Sequence, residues 1–252
     1  MDLLTKHRIS IILIILFGVL LVVILVNTLV VIFSGKAVPA PTIPREEAKL
    51  GSGPELRYLI LGDSTTIAQG SDYEDGYVVQ TSENLSKDYE VSYRNYGVSG
   101  AVTKDVLTLQ LPNIKDFKPD IVLVAVGAND VTHLTSTGLI KQDAQSIITQ
   151  LKKLNREVKI VFTGSASMGD VKRFPWPTSW LARLRTSQVN KSFLEVIESN
   201  DNVSFAYIAR ETGEQFAQNP QYFAEDNFHP NAQGYAVWTE VLNREIQRAL
   251  AN

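Results

Sequence analysis

Residues 9–33 read ISIILIILFGVLLVVILVNTLVVIF, 25 residues without a charge. No other feature limits this chain so strongly. As a helix rising 1.5 Å per residue the run is about 37 Å long, and about 20 apolar residues already span a bilayer core. Tilt absorbs the excess. A helix in a soluble core keeps a polar side, and this run offers none. A cleaved signal peptide has a shorter apolar region, about 7–15 residues. Pro41, directly after the small residues of KAVPA (36–40), also makes a poor cleavage site. The expectation is an uncleaved signal anchor, crossing the cell membrane once. Lys6 and Arg8 precede the run, so the positive-inside rule keeps residues 1–8 in the cytoplasm and exports the rest. Lys36, Arg45 and Lys49 on the far side reduce that asymmetry. Asn27 is a polar residue inside the span. It either bonds a partner helix or faces lipid near the span's end.

Residues 34–56 carry four prolines and three glycines without apolar periodicity. They read as a tether. A flexible chain of about 20 residues has a root-mean-square span of roughly 25 Å, which proline extends. The remaining domain, 57–252, is then held near the membrane without being embedded in it.

That domain alternates two signals. RYLIL (57–61), YEVSYRNY (89–96), DIVLVAV (120–126), VKIVFT (158–163) and VSFAYI (203–208) read as strands. The first and third are nearly continuous apolar runs, as in parallel strands buried on both faces. Between them, Ile140, Ala144, Ile147, Ile148, Leu151 and Leu154 share one helical face. Trp238, Val241, Leu242, Ala249 and Leu250 do the same near the end of the chain. The pattern predicts a three-layer α/β/α sandwich on a mainly parallel five-stranded sheet.

Such sheets carry their sites beyond the C-terminal ends of the strands, at a topological switch point. GDS (62–64) follows the first strand, YGVSG (96–100) the second and GAND (127–130) the third; DNFHP (226–230) precedes the last helix. A serine hydroxyl is a weak nucleophile until a base takes its proton. Ser64 and His229 fit those roles, with Asp226 three residues before His229 to orient the imidazole. Donors for a tetrahedral oxyanion are the Ser64 N–H at an expected helix start, the Gly97 N–H and the Asn129 side chain. Each stretch alone has a plainer reading: a strand-end turn, a turn glycine, a helix N-cap, or loop residues before a Pro230 helix start. The joint pattern in this order is what points to chemistry.

In these four stretches the chain resembles the SGNH hydrolase family, the GDSL esterases and lipases, over roughly residues 57–250. The resemblance implies a flavodoxin-like fold with strand order 2-1-3-4-5, a shallow open site, and ester hydrolysis through an acyl-enzyme. It assigns Ser64, Asp226 and His229 to the triad, and Ser64, Gly97 and Asn129 to the oxyanion hole. The leucine that gives GDSL its name is Thr65 here, a position that supplies no catalytic group.

Composition narrows the alternatives. The chain has no cysteine, three histidines and a net charge of −3. Thiol nucleophiles, zinc–thiolate sites and disulfides are excluded, and no long basic run invites nucleic acid. His133 and His229 are the domain's only histidines, a thin supply for a metal-dependent phosphoesterase. No metal or cofactor is expected. His133 and Trp176 are candidates to line the substrate site. His133 has no acidic neighbour placed as Asp226 is beside His229. Asp63 is read as a turn holder and Asp130 as a cap of the following helix. RFPWPTSW (173–180), after the fourth strand, is either a substrate wall or a local packing cluster. Anchored outside the membrane, an esterase meets an envelope glycan or a lipid ester. An acyltransferase, a thioesterase or a silent anchored binding domain are the other readings.

Overall fold

The computed structural model describes residues 3–43, 48–114 and 116–251. The apolar run forms one helix, α1 (Leu3–Phe33), exposed along its length. The strands are β1 (Ala48–Leu50), β2 (Glu55–Gly62), β3 (Glu90–Asn95), β4 (Ile121–Ala125), β5 (Lys159–Phe162) and β6 (Val203–Phe205). They form one sheet in the order β1-β3-β2-β4-β5-β6. From β3 to β6 all pairings are parallel, and that part has the expected 2-1-3-4-5 order.

The sheet has six strands rather than five. The added strand, β1, pairs antiparallel with β3, with Leu50 opposite Val91. It comes from the stretch read as a tether; residues 44–47 of that stretch lie outside the described residues. Extended Gly/Pro-rich chain leaves its N–H and C=O groups unpaired, and an open sheet edge satisfies them. The stretch from 34 onward also follows the domain surface. Lys36 N–H donates to Glu225 O (3.0 Å) and Gln69 Nε2 to Val38 O (3.1 Å).

Helices cover both faces. Leu59 and Leu61 of β2 point to one side, Tyr58 and Ile60 to the other, with the period of two that a strand imposes. The first side is closed by α5 (Thr137–Leu154) and α6 (Thr178–Ile197), through Ile140, Ile147, Leu151, Val189 and Phe193. The second is closed by α2 (Tyr77–Leu85), α7 (Ile208–Gln218) and α8 (Ala232–Ala251), through Tyr77, Phe216, Tyr235, Trp238 and Leu242. Two short helices, α3 (Thr103–Asp105) and α4 (Ala128–Thr132), sit at the C-terminal edge of the sheet.

Asn27 bonds another helix, and that helix, α6, belongs to the α/β/α domain. Asn27 Nδ2 donates to Val23 O within α1, and its Oδ1 accepts from Thr178 Oγ1 at 3.0 Å. Arg173 Nε donates to Val31 O (2.8 Å). It thereby fills a carbonyl that the last turn of α1 leaves unpaired, at the end that favours a cation. The helix is thus bonded to the α/β/α domain.

Candidate active site

The site grows from the end of β2. Gly62 is clamped by one side chain: its N–H donates to Gln110 Oε1 and its C=O accepts from Gln110 Nε2, both at 2.8 Å. A Cβ on Gly62 would lie 2.4 Å from both Ala125 O and Thr66 Cγ2, so the chain here must be glycine. Beyond it, Ser64 does not open a helix. Residues 64–70 form consecutive turns, with Ala68 at φ 58° and Gly70 at φ 101°. The first full α-helix after the serine begins only at Tyr77. Three β-branched residues, Thr65 to Ile67, followed by left-handed backbone do not propagate α-helix. Ser64 is nevertheless presented as a nucleophile would be. Among the described residues its backbone N–H has no hydrogen-bond partner.

The Ser64 Oγ lies 2.9 Å from His229 Nε2, and His229 Nδ1 lies 2.5 Å from Asp226 Oδ2. The other Asp226 oxygen accepts from the N–H groups of Phe228 (2.9 Å) and His229 (3.0 Å). This closes the DNFH turn on its own side chain. Burial works against the Asp226 charge, but the bond from His229 and the two backbone donors outweigh it and hold its pKa below the ordinary value. An ionised carboxylate only accepts, so it places the ring proton on Nδ1 and leaves Nε2 free to accept from Ser64. The edge of Phe228 meets the His229 ring at 5.0 Å between centroids, and Phe174 meets Phe228 at 6.0 Å. Helix α8 begins after Asn231, whose Oδ1 accepts from Gly234 N–H, and not at Pro230.

The expected oxyanion donors are arranged unequally. Asn129 Nδ2 donates one hydrogen to Ala101 O (3.0 Å), which fixes the amide and leaves its second hydrogen. Asn129 lies inside α4, not at its N-cap. The Gly97 N–H donates to Asn95 Oδ1 at 2.9 Å. Gly97 is needed for space: a Cβ there would lie 1.9 Å from Thr66 Oγ1. Asn95 and Gln110 escaped the sequence reading, since an amide in a strand or an irregular helix carries no spacing signal.

Asp130 lies within α4 and does not cap the helix that follows, α5, whose N-cap is Ser136. The buried Asp130 carboxylate accepts from Thr103 N–H (2.9 Å) and Oγ1 (2.8 Å), tying α4 to the start of α3. Exposed His133 has its Nδ1 2.8 Å from Asn129 O, one turn beyond that residue. Trp176 is 75% exposed; the aromatic of its segment that reaches His229, through Phe228, is Phe174. Among the described residues no three His, Asp or Glu side chains converge as a metal ligand set.

Thr65 has a partner that leucine could not provide. Its Oγ1 donates to Asp63 Oδ1 (2.8 Å) and meets the Tyr77 hydroxyl at 3.0 Å, while its N–H donates to the same Asp63 oxygen (2.9 Å). Burial pushes Asp63 up from 3.8 to about 6, against these two donors and nearby His229. A carboxyl with a raised folded-state pKa leaves native stability highest below its unfolded value. That stability is lost as pH rises through about 4 to 6, and the full penalty stands above. Two units correspond to about 3 kcal/mol at most. Asp63→Asn keeps an acceptor for Thr65 without the charge. It is expected to melt several degrees above the parent at pH 7.5, the gap closing near pH 4. Thermal melts at both pH values check this, and a variant less stable at pH 7.5 refutes it.

The model of the GDSL-like Lipase/Acylhydrolase family matches residues 60–237, from the end of β2 into α8. The chain belongs to this family. A GDSL-like esterase of Mycobacterium tuberculosis is 24% identical over 209 residues, 78% of this chain and 63% of that protein. The GDSL-like chain thus spans less than two thirds of that relative's length. Among solved structures, the esterase EstA from Pseudoalteromonas sp. superposes with a TM-score of 0.62 at 17% identity, covering 78% of this chain and 99% of the other. A family 3 carbohydrate esterase of Clostridium thermocellum gives 0.58 at 16%, covering 79% and 100%. At such identities these likenesses speak for the fold.

Proposed function

We propose that this protein cleaves carboxylic esters through an acyl-enzyme on Ser64, acting outside the cell membrane on short acyl groups, O-acetyl foremost, of envelope glycans. The relay from Ser64 Oγ through His229 to Asp226, at 2.9 and 2.5 Å, carries the reading. As Oγ attacks the ester carbonyl, its proton passes to His229 Nε2, and the Asp226 carboxylate stabilises the imidazolium. The oxyanion is met by the Ser64 N–H and the free Asn129 amide hydrogen. The Gly97 N–H joins them only by exchanging its bond to Asn95. His229 returns the proton to the departing alcohol, and water then releases the acyl group by the reverse sequence.

The space beside the site supports a short acyl group. The cavity beside His229, bordered by Thr65, Ala128, Met168 and Phe228, holds about 40 Å³, room for a methyl-sized group rather than a chain. The carbohydrate-esterase likeness supports a glycan as the alcohol half. A series of p-nitrophenyl esters from acetyl to decanoyl tests the acyl half. Since one misfit methylene is worth about 10-fold or more, kcat/KM is expected to fall steeply beyond propionyl. A flat or rising series would replace the short-acyl reading with a long-chain lipid ester.

A further inference from the structure

Among the described residues outside α1, eight large apolar side chains are exposed, and four of them lie on one short stretch: Trp176, Trp180, Leu181 and Leu184. Trp176 precedes α6 across Pro177, and Trp180, Leu181 and Leu184 follow at helical spacing, so all four share a side of the α6 N-terminus. Their exposures run from 47% to 75%. Two of the chain's three tryptophans are among them. Trp and Tyr gather where a membrane meets water, their rings apolar and their N–H or O–H wet.

What identifies the occupant is where this face lies. Pro177, Thr178 and Leu181 share a groove with Val23, Ile24, Asn27, Thr28 and Val31 of α1. Thr178 bonds Asn27, and Arg173 bonds Val31. The exposed face therefore continues the apolar surface of α1 at its domain-side end. The 25-residue run is about 7 Å longer than a hydrocarbon core of about 30 Å. Its last turns can thus stand at headgroup depth, and there Arg173, three residues before Trp176, bonds Val31. Lys172, four residues before Trp176, is exposed and suited to lipid phosphates, while Arg183 is paired with Asp170.

We infer that Trp176, Trp180, Leu181 and Leu184 form a lipid-seating face, by which the domain rests in the headgroup layer of the membrane that α1 crosses. This rests on reading α1 as a membrane span. The seat is coupled to the site at short range: Phe174, two residues before Trp176, touches Phe228, which touches His229. The face thereby fixes the orientation of His229 relative to the bilayer, where a free tether would leave it to rotate.

The test uses the full chain in vesicles of phosphatidylcholine and phosphatidylglycerol, part of the phosphatidylcholine brominated either at carbons 6 and 7 or at carbons 11 and 12 of an acyl chain. Vesicle flotation shows whether the chain is membrane-bound. Trp238 is buried in the domain, so quenching reports Trp176 and Trp180. The shallow bromines are expected to remove up to two thirds of the emission, the share of those two tryptophans, and more than the deep bromines do. The doubly substituted Trp176→Phe, Trp180→Phe chain, which floats equally, is expected to lose that quenching. A floating wild-type chain without quenching overturns the seating while leaving the span intact. So does stronger quenching by the deep bromines, or a patch shielded by a second copy in cross-linking. A chain that does not float overturns the span itself, and the seating with it.

Discussion

Replacing Ser64 with alanine is expected to reduce kcat/KM on p-nitrophenyl acetate by about 10⁴-fold or more, with the fold unchanged. Losing a triad nucleophile removes the covalent route altogether, and what survives is binding and oxyanion stabilisation, worth about 10³–10⁴ over water. The variant is clean because, among the described residues, the Ser64 hydroxyl makes a single hydrogen bond, to His229. The turn is held by other groups: Thr66 N–H to Asp63 O, Gln69 N–H to Ser64 O, and the Thr65 donors to Asp63. None of these uses the Ser64 side chain. Melting temperature is therefore expected to stay within a degree or two, which separates chemistry from misfolding. Turnover that survives in a folded Ser64→Ala protein would mean that the His229–Asp226 pair activates something else, such as water.

The strands and the four polar stretches were legible because their signals are local. LILG is an apolar run that ends in a glycine, and the Ile140–Leu151 stripe has a period of 3.6. The chemistry at the strand ends likewise uses residue types with few other reasons to stand there together. What escaped reading is decided by distant partners. AKL (48–50) has no strand pattern of its own and becomes one only against β3. Gln110 clamps Gly62 across 48 positions, and Asn95 holds Gly97 by a side chain that looks like any strand amide. The turns after Ser64 defeated a helix expectation because left-handed backbone at Ala68, a non-glycine, leaves no mark in the letters. Asn27 is the sharpest case. Inside an apolar run it is read against lipid or another helix, and nothing local says which helix: its partner, Thr178 at the start of α6, lies 151 residues away.

Asp226→Asn probes the relay at its other end, and its expected effect is a fall in kcat of about 10⁴-fold with KM little changed. The volume is conserved, and the amide oxygen can still accept from the Phe228 and His229 N–H groups that shape the turn. What changes is the group facing His229 Nδ1. A carboxylate demands a proton there; an amide that turns its NH₂ toward the ring demands the opposite. The imidazole then carries its proton on Nε2, where it donates to Ser64 instead of accepting, and the base is present but in the wrong tautomer. Stability gives a second, independent readout. Because its bonds hold the Asp226 pKa below the ordinary carboxylate value, its contribution is fully present above that value and is lost as pH falls through the folded one. The variant should therefore melt below the parent at pH 7, and the gap should narrow as the solution is taken below about pH 4. Parent-like turnover in the variant would mean that Asp226 closes the DNFH turn without orienting the histidine. A stability gap that persists unchanged into acid would place the lost interaction in the amide's packing and not in the carboxylate's charge.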